Sequence, residues 1–133
     1  MTRYMLDTNV ISDVIRNPRG RAAQQLRKMG EGAICTSIIV AVELRYGCAK
    51  RGSKRLLRAL EDLLGEISVL PFDIPADAEY GAIRSELEGA GRPIGGNDSL
   101  IAAHARAIDA TVVTANTEEF ERVRGLKVEN WLI

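Results

Sequence analysis

Three carboxylates, Asp7, Glu43 and Asp98, stand where the chain gives them little ordinary work to do. Asp7 directly follows the apolar run Tyr4-Met5-Leu6 and opens Asp7-Thr8-Asn9. A helix cap accounts for it locally, since Asp is favoured there. Glu43 is the only charge in Ser37-Ile38-Ile39-Val40-Ala41-Val42-Glu43-Leu44, a stretch apolar on nearly every face. Arg45 lies about 200° away around a helix and is a poor partner for it. The Glu43 carboxylate therefore sits on a narrow exposed edge or is held by something positive, because burying it unpaired is costly. Asp98 follows Gly95-Gly96-Asn97 and precedes Ser99-Leu100-Ile101-Ala102-Ala103-His104-Ala105. A cap, or a first-turn Asp favoured by the helix dipole, accounts for it locally. The joint placement is harder to explain: a strand end, a helix interior and a glycine-preceded helix start. Carboxylates converging without matched cations repel and hold protons more tightly, unless a metal neutralises them. All-oxygen donors suit Mg²⁺ or Mn²⁺. Such an ion binds a phosphate oxygen, lowers the pKa of an attacking water and stabilises developing charge.

Competing chemistries find less support. No Ser-His-Asp or Cys-His set is apparent. His104, the one histidine, follows Asp98 on the same predicted helix but points about 240° away, so it is expected to take no part in catalysis. An Asp-based phosphatase wants a second Asp two residues after the first, where this chain has Asn9. A phospho-receiver wants further acids near the first strand and a late Lys, neither of which can be placed. A nucleotide-binding module wants a glycine-rich loop after that strand, and Asp7-Thr8-Asn9-Val10 is not one. Cys35 and Cys48 have neither C-x-x-C spacing nor a His cluster and are expected to be free, buried thiols. Five cations, Lys50, Arg51, Lys54, Arg55 and Arg58, fall close together, with the last four on one helical face. That face either grips RNA phosphates or is simply solvated. The acid-rich segments around Asp77, Glu79, Glu86 and Glu88, and around Glu118, Glu119 and Glu121, are read as solvated faces. Trp131 is expected to pack the C-terminus down rather than to stack a base.

Short apolar runs alternate with longer amphipathic stretches, the pattern of βα units around a parallel sheet. Strands are predicted at Tyr4-Met5-Leu6, Ala33-Ile34-Cys35-Thr36, Val69-Leu70 and Thr111-Val112-Val113-Thr114, with a last short one at Leu126-Lys127-Val128. Helices are predicted near residues 9–15, 20–29, 37–49, 53–64, 75–90, 98–107 and 117–122. The acids would then lie where open α/β sheets gather function, outside the carboxyl ends of the strands.

With 133 residues the chain fits one domain spanning 1–133, and its 46% hydrophobic and 27% charged residues are ordinary for a soluble globular protein. No apolar run reaches the roughly eighteen residues of a membrane span, and the N-terminal apolar stretch is too short for a signal-peptide core. A cytoplasmic location is expected. Eighteen basic residues balance eighteen acidic ones. Indiscriminate coating of nucleic acid is thereby excluded, but a local basic patch is not.

The segments Met5-Leu6-Asp7-Thr8-Asn9, Glu43-Leu44-Arg45-Tyr46-Gly47, Ile94-Gly95-Gly96-Asn97-Asp98-Ser99-Leu100-Ile101-Ala102-Ala103-His104-Ala105 and Val113-Thr114-Ala115-Asn116-Thr117-Glu118-Glu119-Phe120-Glu121-Arg122-Val123 resemble the PIN domains of VapC toxins. So does the closing Gly125-Leu126-Lys127-Val128-Glu129-Asn130-Trp131. Each motif alone is weakly specific, but four in order over this length are strong. The resemblance implies a three-layer α/β/α fold with a mainly parallel sheet. It implies hydrolysis of RNA phosphodiesters, in a transfer or ribosomal RNA, with one or two Mg²⁺ or Mn²⁺ ions. Asp7 and Asp98 would be metal ligands, with Glu43 a ligand or water-orienting neighbour. A VapB-like antitoxin and a homodimer are implied as partners. The chain departs from the family twice. Asn116 stands where a fourth acid is frequent, which puts a tightly held second metal in doubt, although Glu119 can compensate. Gly96 replaces the usual Pro before the Asn-Asp pair, which should loosen that loop. A PIN fold retained only for binding would be expected to have lost Asp7 or Asp98, and both are present.

Overall fold

The apolar runs pair side by side. The computed structural model describes residues 2–133, the side chain of residue 31 excepted. Strands β1 (Tyr4–Leu6), β2 (Ile34–Ser37), β3 (Ser68–Leu70), β4 (Thr111–Val113) and β5 (Lys127–Glu129) form one sheet in the order β3-β2-β1-β4-β5. Every pairing is parallel. In β1 and β4, Met5, Leu6, Val112 and Val113 are all fully buried. Side chains buried on both faces are what a parallel sheet requires, because crossover helices cover both sides. The helices are α1 (Thr8–Arg16), α2 (Arg21–Met29), α3 (Ile38–Arg51), α4 (Lys54–Glu66), α5 (Ala76–Gly89), α6 (Gly96–Ala107) and α7 (Thr117–Phe120). The result is the expected three-layer α/β/α arrangement.

Local signals explain most helix starts. The Ser37 hydroxyl accepts from the Ile39 N–H to cap α3, and the Ser53 hydroxyl accepts from the Leu56 N–H to cap α4. Helix α4 buries Leu60, Leu63 and Leu64 at helical spacing, the inward stripe of an amphipathic helix. Between α3 and α4 the chain turns at Gly52, whose φ of 65° is left-handed and ends α3. Arg51 therefore closes one helix while Lys54, Arg55 and Arg58 begin another, so the four cations do not share one continuous helical face. A short 3-10 turn at Glu31–Ala33, not anticipated from the sequence, leads into β2, and β5 begins one residue later than expected.

The sheet order has one functional consequence. From β1 the chain moves outward through β2 to β3, then returns to the other side of β1 to add β4 and β5. The strand order reverses between β1 and β4, and in such sheets the crevice outside the carboxyl ends at that point is where ligands bind. Leu6 pairs with Val113 there, and the Asp7 N–H donates to the Val113 carbonyl at 2.9 Å. The residues that follow, Asp7 and Thr114, are therefore neighbours.

The far end of the chain is held by apolar packing. Phe120 is fully buried, and Trp131 lies against Tyr4 with ring centroids 5.4 Å apart while its indole N–H donates to Glu129. Trp131 thus packs the C-terminus, as expected. Both cysteines are free and buried. Truncating Phe120→Ala should lower the unfolding free energy by about 3–5 kcal/mol, read from urea denaturation followed by circular dichroism.

Candidate active site

Asp7 caps α1 and does more. Its Oδ1 accepts from the Thr8 N–H at 2.8 Å, as the capping expectation requires. Its Oδ2 faces the switch point, accepting from the Thr114 hydroxyl at 2.8 Å and from the Asn9 amide at 3.4 Å. Asp7 is only 3% exposed. Burial pushes its carboxyl above the usual range, the Thr114 and Thr8 hydrogen bonds oppose that, and the nearby Glu43 charge adds to it.

Thr114 is the hub. Its hydroxyl donates to Asp7 and accepts from the Asn116 N–H at 2.9 Å. The Asn9 side-chain carbonyl accepts from the Ala115 N–H at 2.9 Å, so the turns after β1 and β4 are laced together. Sequence reasoning missed Thr114, Thr8 and Asn9. A strand-terminal Thr beside an Asp-Thr-Asn turn was the available signal, but the pairing of β1 with β4 could not be read from it.

Glu43 is half-buried on α3, and the expectation of an exposed edge or a positive partner needs correction. Its Oε1 accepts from the Thr8 hydroxyl at 2.9 Å, a neutral donor. Arg45 pairs instead with Glu61 on α4. One residue, Thr8, thus links the α1 N-terminus to the α3 acid.

Asp98 is not a cap. Gly95 occupies that position without a side-chain bond, Gly96 is the first helical residue and Asp98 lies in the first turn of α6. Gly96 therefore lies within the helix rather than in the loop before it. Asp98 Oδ2 accepts from the Asn116 amide at 3.2 Å, and the same amide donates to Glu119 at 3.1 Å. Burial, then a hydrogen bond with Glu119, then the charges of Asp7, Glu119 and Glu43 push Asp98 from 3.8 up to about 7. The Glu119 carboxyl moves the other way, held down first by Asp98 and also by Asn116, Arg122 and the Gly95 N–H. The proton of this pair resides on Asp98. The Asn116 amide donates to both acids of this pair.

The three predicted acids thus face one crevice and feel one another's charge. Among the described residues no lysine or arginine donates to Asp7, Glu43 or Asp98. No three His, Cys, Asp or Glu side chains among those residues form a ready-made metal cage either. The donors are carboxylate, hydroxyl and amide oxygens, with an uncompensated negative field. Mg²⁺ is commonly held by one or two carboxylates together with waters and substrate phosphates, and this open set fits that habit. His104 lies on the same helix as Asp98 but is 2% exposed, its Nδ1 2.7 Å from the Ser37 hydroxyl and its ring edge-on to Phe72. Burial lowers its pKa, which favours the neutral ring.

Fold and site together define a three-layer α/β domain with a carboxylate-lined crevice at its switch point, and comparison with known proteins gives the family. The sequence pattern of the PIN domain matches residues 4–126, and the chain belongs to the PIN domain family. It is 39% identical over 132 residues to the tRNA(fMet)-specific endonuclease VapC of Shigella flexneri, covering 98% of this chain and 99% of that one. It is 38% identical over 135 residues to ribonuclease VapC2 of Haemophilus influenzae, across 99% of this chain and all of that one. The solved structure of VapBC2 from Rickettsia felis, bound to a promoter DNA fragment, superposes with a TM-score of 0.89 at 36% identity, covering 98% of this chain and 99% of that one. A DNA-bound VapBC from Salmonella typhimurium gives 0.90 at 36% identity with the same coverage.

The raised Asp98 pKa has a direction that can be tested. Between pH 4 and 7 the folded chain holds a proton that the unfolded chain has lost, so in EDTA this group's contribution to stability is present at pH 4 and lost as pH rises to about 7. Asp98→Asn should flatten that part of the profile, and at pH 8 in EDTA it should melt no lower than the unaltered protein. Thermal melting from pH 4 to 8 checks both; an identical pH dependence in the two proteins would contradict the charge-crowding account.

Proposed function

We propose that this chain is a metal-dependent endoribonuclease acting as the toxin of a toxin–antitoxin pair, one PIN domain over residues 1–133, restrained by a VapB-like protein. The observation that supports it best is the convergence of Asp7, Glu43 and Asp98 on the β1/β4 switch point without a compensating cation. Full-length relatives named as ribonucleases, and close structural neighbours solved as VapBC assemblies, support the RNA substrate and the protein inhibitor. A structured RNA such as a transfer RNA is the proposed target, in keeping with the names of the Shigella and Salmonella relatives. By the same resemblance the active form is a homodimer. No helix among the described residues is long and apolar enough to cross a membrane, and the cytoplasm is the proposed location.

Asp7 and Asp98 would hold the Mg²⁺ or Mn²⁺, with Glu43 beside them. When bound, the ion supplies Lewis-acid activation of the scissile phosphate and charge neutralisation. The chain's own groups do the rest. Thr114 and the Thr8 N–H fix the Asp7 carboxylate in one orientation, so little reorganisation is needed when substrate arrives. Thr8 orients Glu43 toward the same crevice, where the carboxylate can accept a proton from an attacking water. Asn116 donates to both Asp98 and Glu119, keeping a fourth acid within reach of the site although position 116 itself is neutral.

Purified chain free of inhibitor should cleave structured RNA in millimolar Mg²⁺ or Mn²⁺ and stop in excess EDTA. Asp7→Asn should cut the rate by at least about a hundredfold while the circular dichroism spectrum stays native. Undiminished cleavage in EDTA would remove the metal, and full activity in the folded variant would remove Asp7 from the chemistry.

A further inference from the structure

His104 stands apart from the rest of the buried face of α6. The other buried residues there, Ser99, Ile101, Ala102, Ala103 and Ala105, are mostly small. Alanines let a helix lie close to its neighbours but offer only short ridges to interlock with them. His104 supplies a directional contact instead: its Nδ1 is 2.7 Å from the hydroxyl of Ser37, the residue that ends β2 and caps α3. The other side-chain hydrogen bonds of α6 run to Glu79, Arg124 and Asn116. Among the described residues, the His104–Ser37 bond is thus the only one of that kind between α6 and β2 or α3.

The roles within the bond follow from Ser37. Its oxygen already accepts from the Ile39 N–H at 3.1 Å, and the residue is fully buried. The hydroxyl hydrogen therefore needs an acceptor inside the protein, and among the described residues Nδ1 is the one in reach. His104 is then a neutral ring with its proton on Nε2. Burial, and after it the charge of Arg3, hold the ring pKa down and favour that state. A phenylalanine would fill the same space against Phe72 without placing a second polar group in the core. Packing alone does not call for an imidazole here.

The place of the bond relative to the acids gives it a use. Glu43 lies six residues after Ser37 along α3, and Asp98 lies six residues before His104 along α6. At 1.5 Å per residue each arm is about 9 Å long. The two helices are pinned at one point and carry their acids at matching distances from it, where Asp98 feels the charge of Glu43. We propose that His104 is a positioning residue: by accepting the Ser37 proton it fixes α6 against α3, and so holds Glu43 in place beside the divalent cation that Asp98 ligates. The proposal rests on the metal-nuclease reading above and adds what keeps the two acids in register. His104 is 2% exposed and takes no part in the chemistry itself.

The test uses the full chain, free of inhibitor, with three substitutions made singly. His104→Leu keeps apolar volume and removes the acceptor. His104→Asn puts a side-chain carbonyl where Nδ1 stood. Ser37→Gly removes the hydroxyl and leaves a tolerated helix cap. Mn²⁺ affinity is read without RNA, from the paramagnetic resonance of the free ion, and cleavage is read separately. His104→Leu and Ser37→Gly should each weaken Mn²⁺ binding about tenfold and lower kcat by a similar factor, with KM for RNA little changed. His104→Asn should restore most of both. Nitrogen NMR of the unaltered chain in EDTA should show the proton on Nε2. A proton on Nδ1, or an Asn variant no better than the Leu variant, would overturn the proposal. Should His104→Leu fail to fold by circular dichroism, Ser37→Gly decides, and unchanged Mn²⁺ affinity there overturns it equally. Unchanged affinities in a chain that cuts RNA would remove the lock and leave the nuclease standing. The expected pattern of Mn²⁺ affinities in a chain that cuts no RNA would keep the lock and sink the nuclease.

Discussion

A carboxylate that is 3% exposed at the end of a central strand must be satisfied by the protein, and almost everything about this site follows from how Asp7 is satisfied. One oxygen is used by the first turn of α1. The other depends on Thr114, which belongs to a strand over a hundred residues later in the chain. That bond exists only because β4 returns to lie beside β1. The sheet order is thus what makes the buried acid tolerable, and the buried acid marks the end of the sheet as a site. Lacing of the following turns through Asn9, Ala115 and Asn116 holds the geometry against the repulsion it creates.

That repulsion is the second theme. Neutral groups hold all three acids: threonine hydroxyls for Asp7 and Glu43, and an amide for Asp98. A structural ion-pair network would have used the chain's eighteen basic residues, and among the described residues none donates to these three acids. Hydrogen bonds from hydroxyls and amides orient a carboxylate without cancelling its charge. The cost appears at Asp98, which keeps its proton up to about pH 7. A fold carrying such crowding is less stable than it could be.

Asn116 is the neutral group set among the acids of this site. A neutral amide at that position lets Asp98 and Glu119 share a bridge and a proton instead of adding another charge. The fourth acid stands three residues later on α7, at Glu119. Fewer fixed charges therefore converge on any single point.

The sequence alone determined the alternation of strands and helices, the parallel class of the sheet, and the acids at positions 7, 43 and 98. Those depend on local hydrophobic period and on residue type, which are carried by neighbours in the chain. It also determined the capping of α1 by Asp7 and the seating of Trp131. It did not determine the role of Asp98 within α6, because a cap and a first-turn residue differ by where the helix starts, a matter of one to three residues. It could not show that Glu43 is held by Thr8, or that Thr114 is the hub, because those bonds join residues 35 and 107 positions apart. The split of the basic residues likewise waited on Gly52 ending one helix. Residue type and spacing state which chemistry is available; which groups meet, and which charges go unpaired, is decided by the order in which the strands assemble.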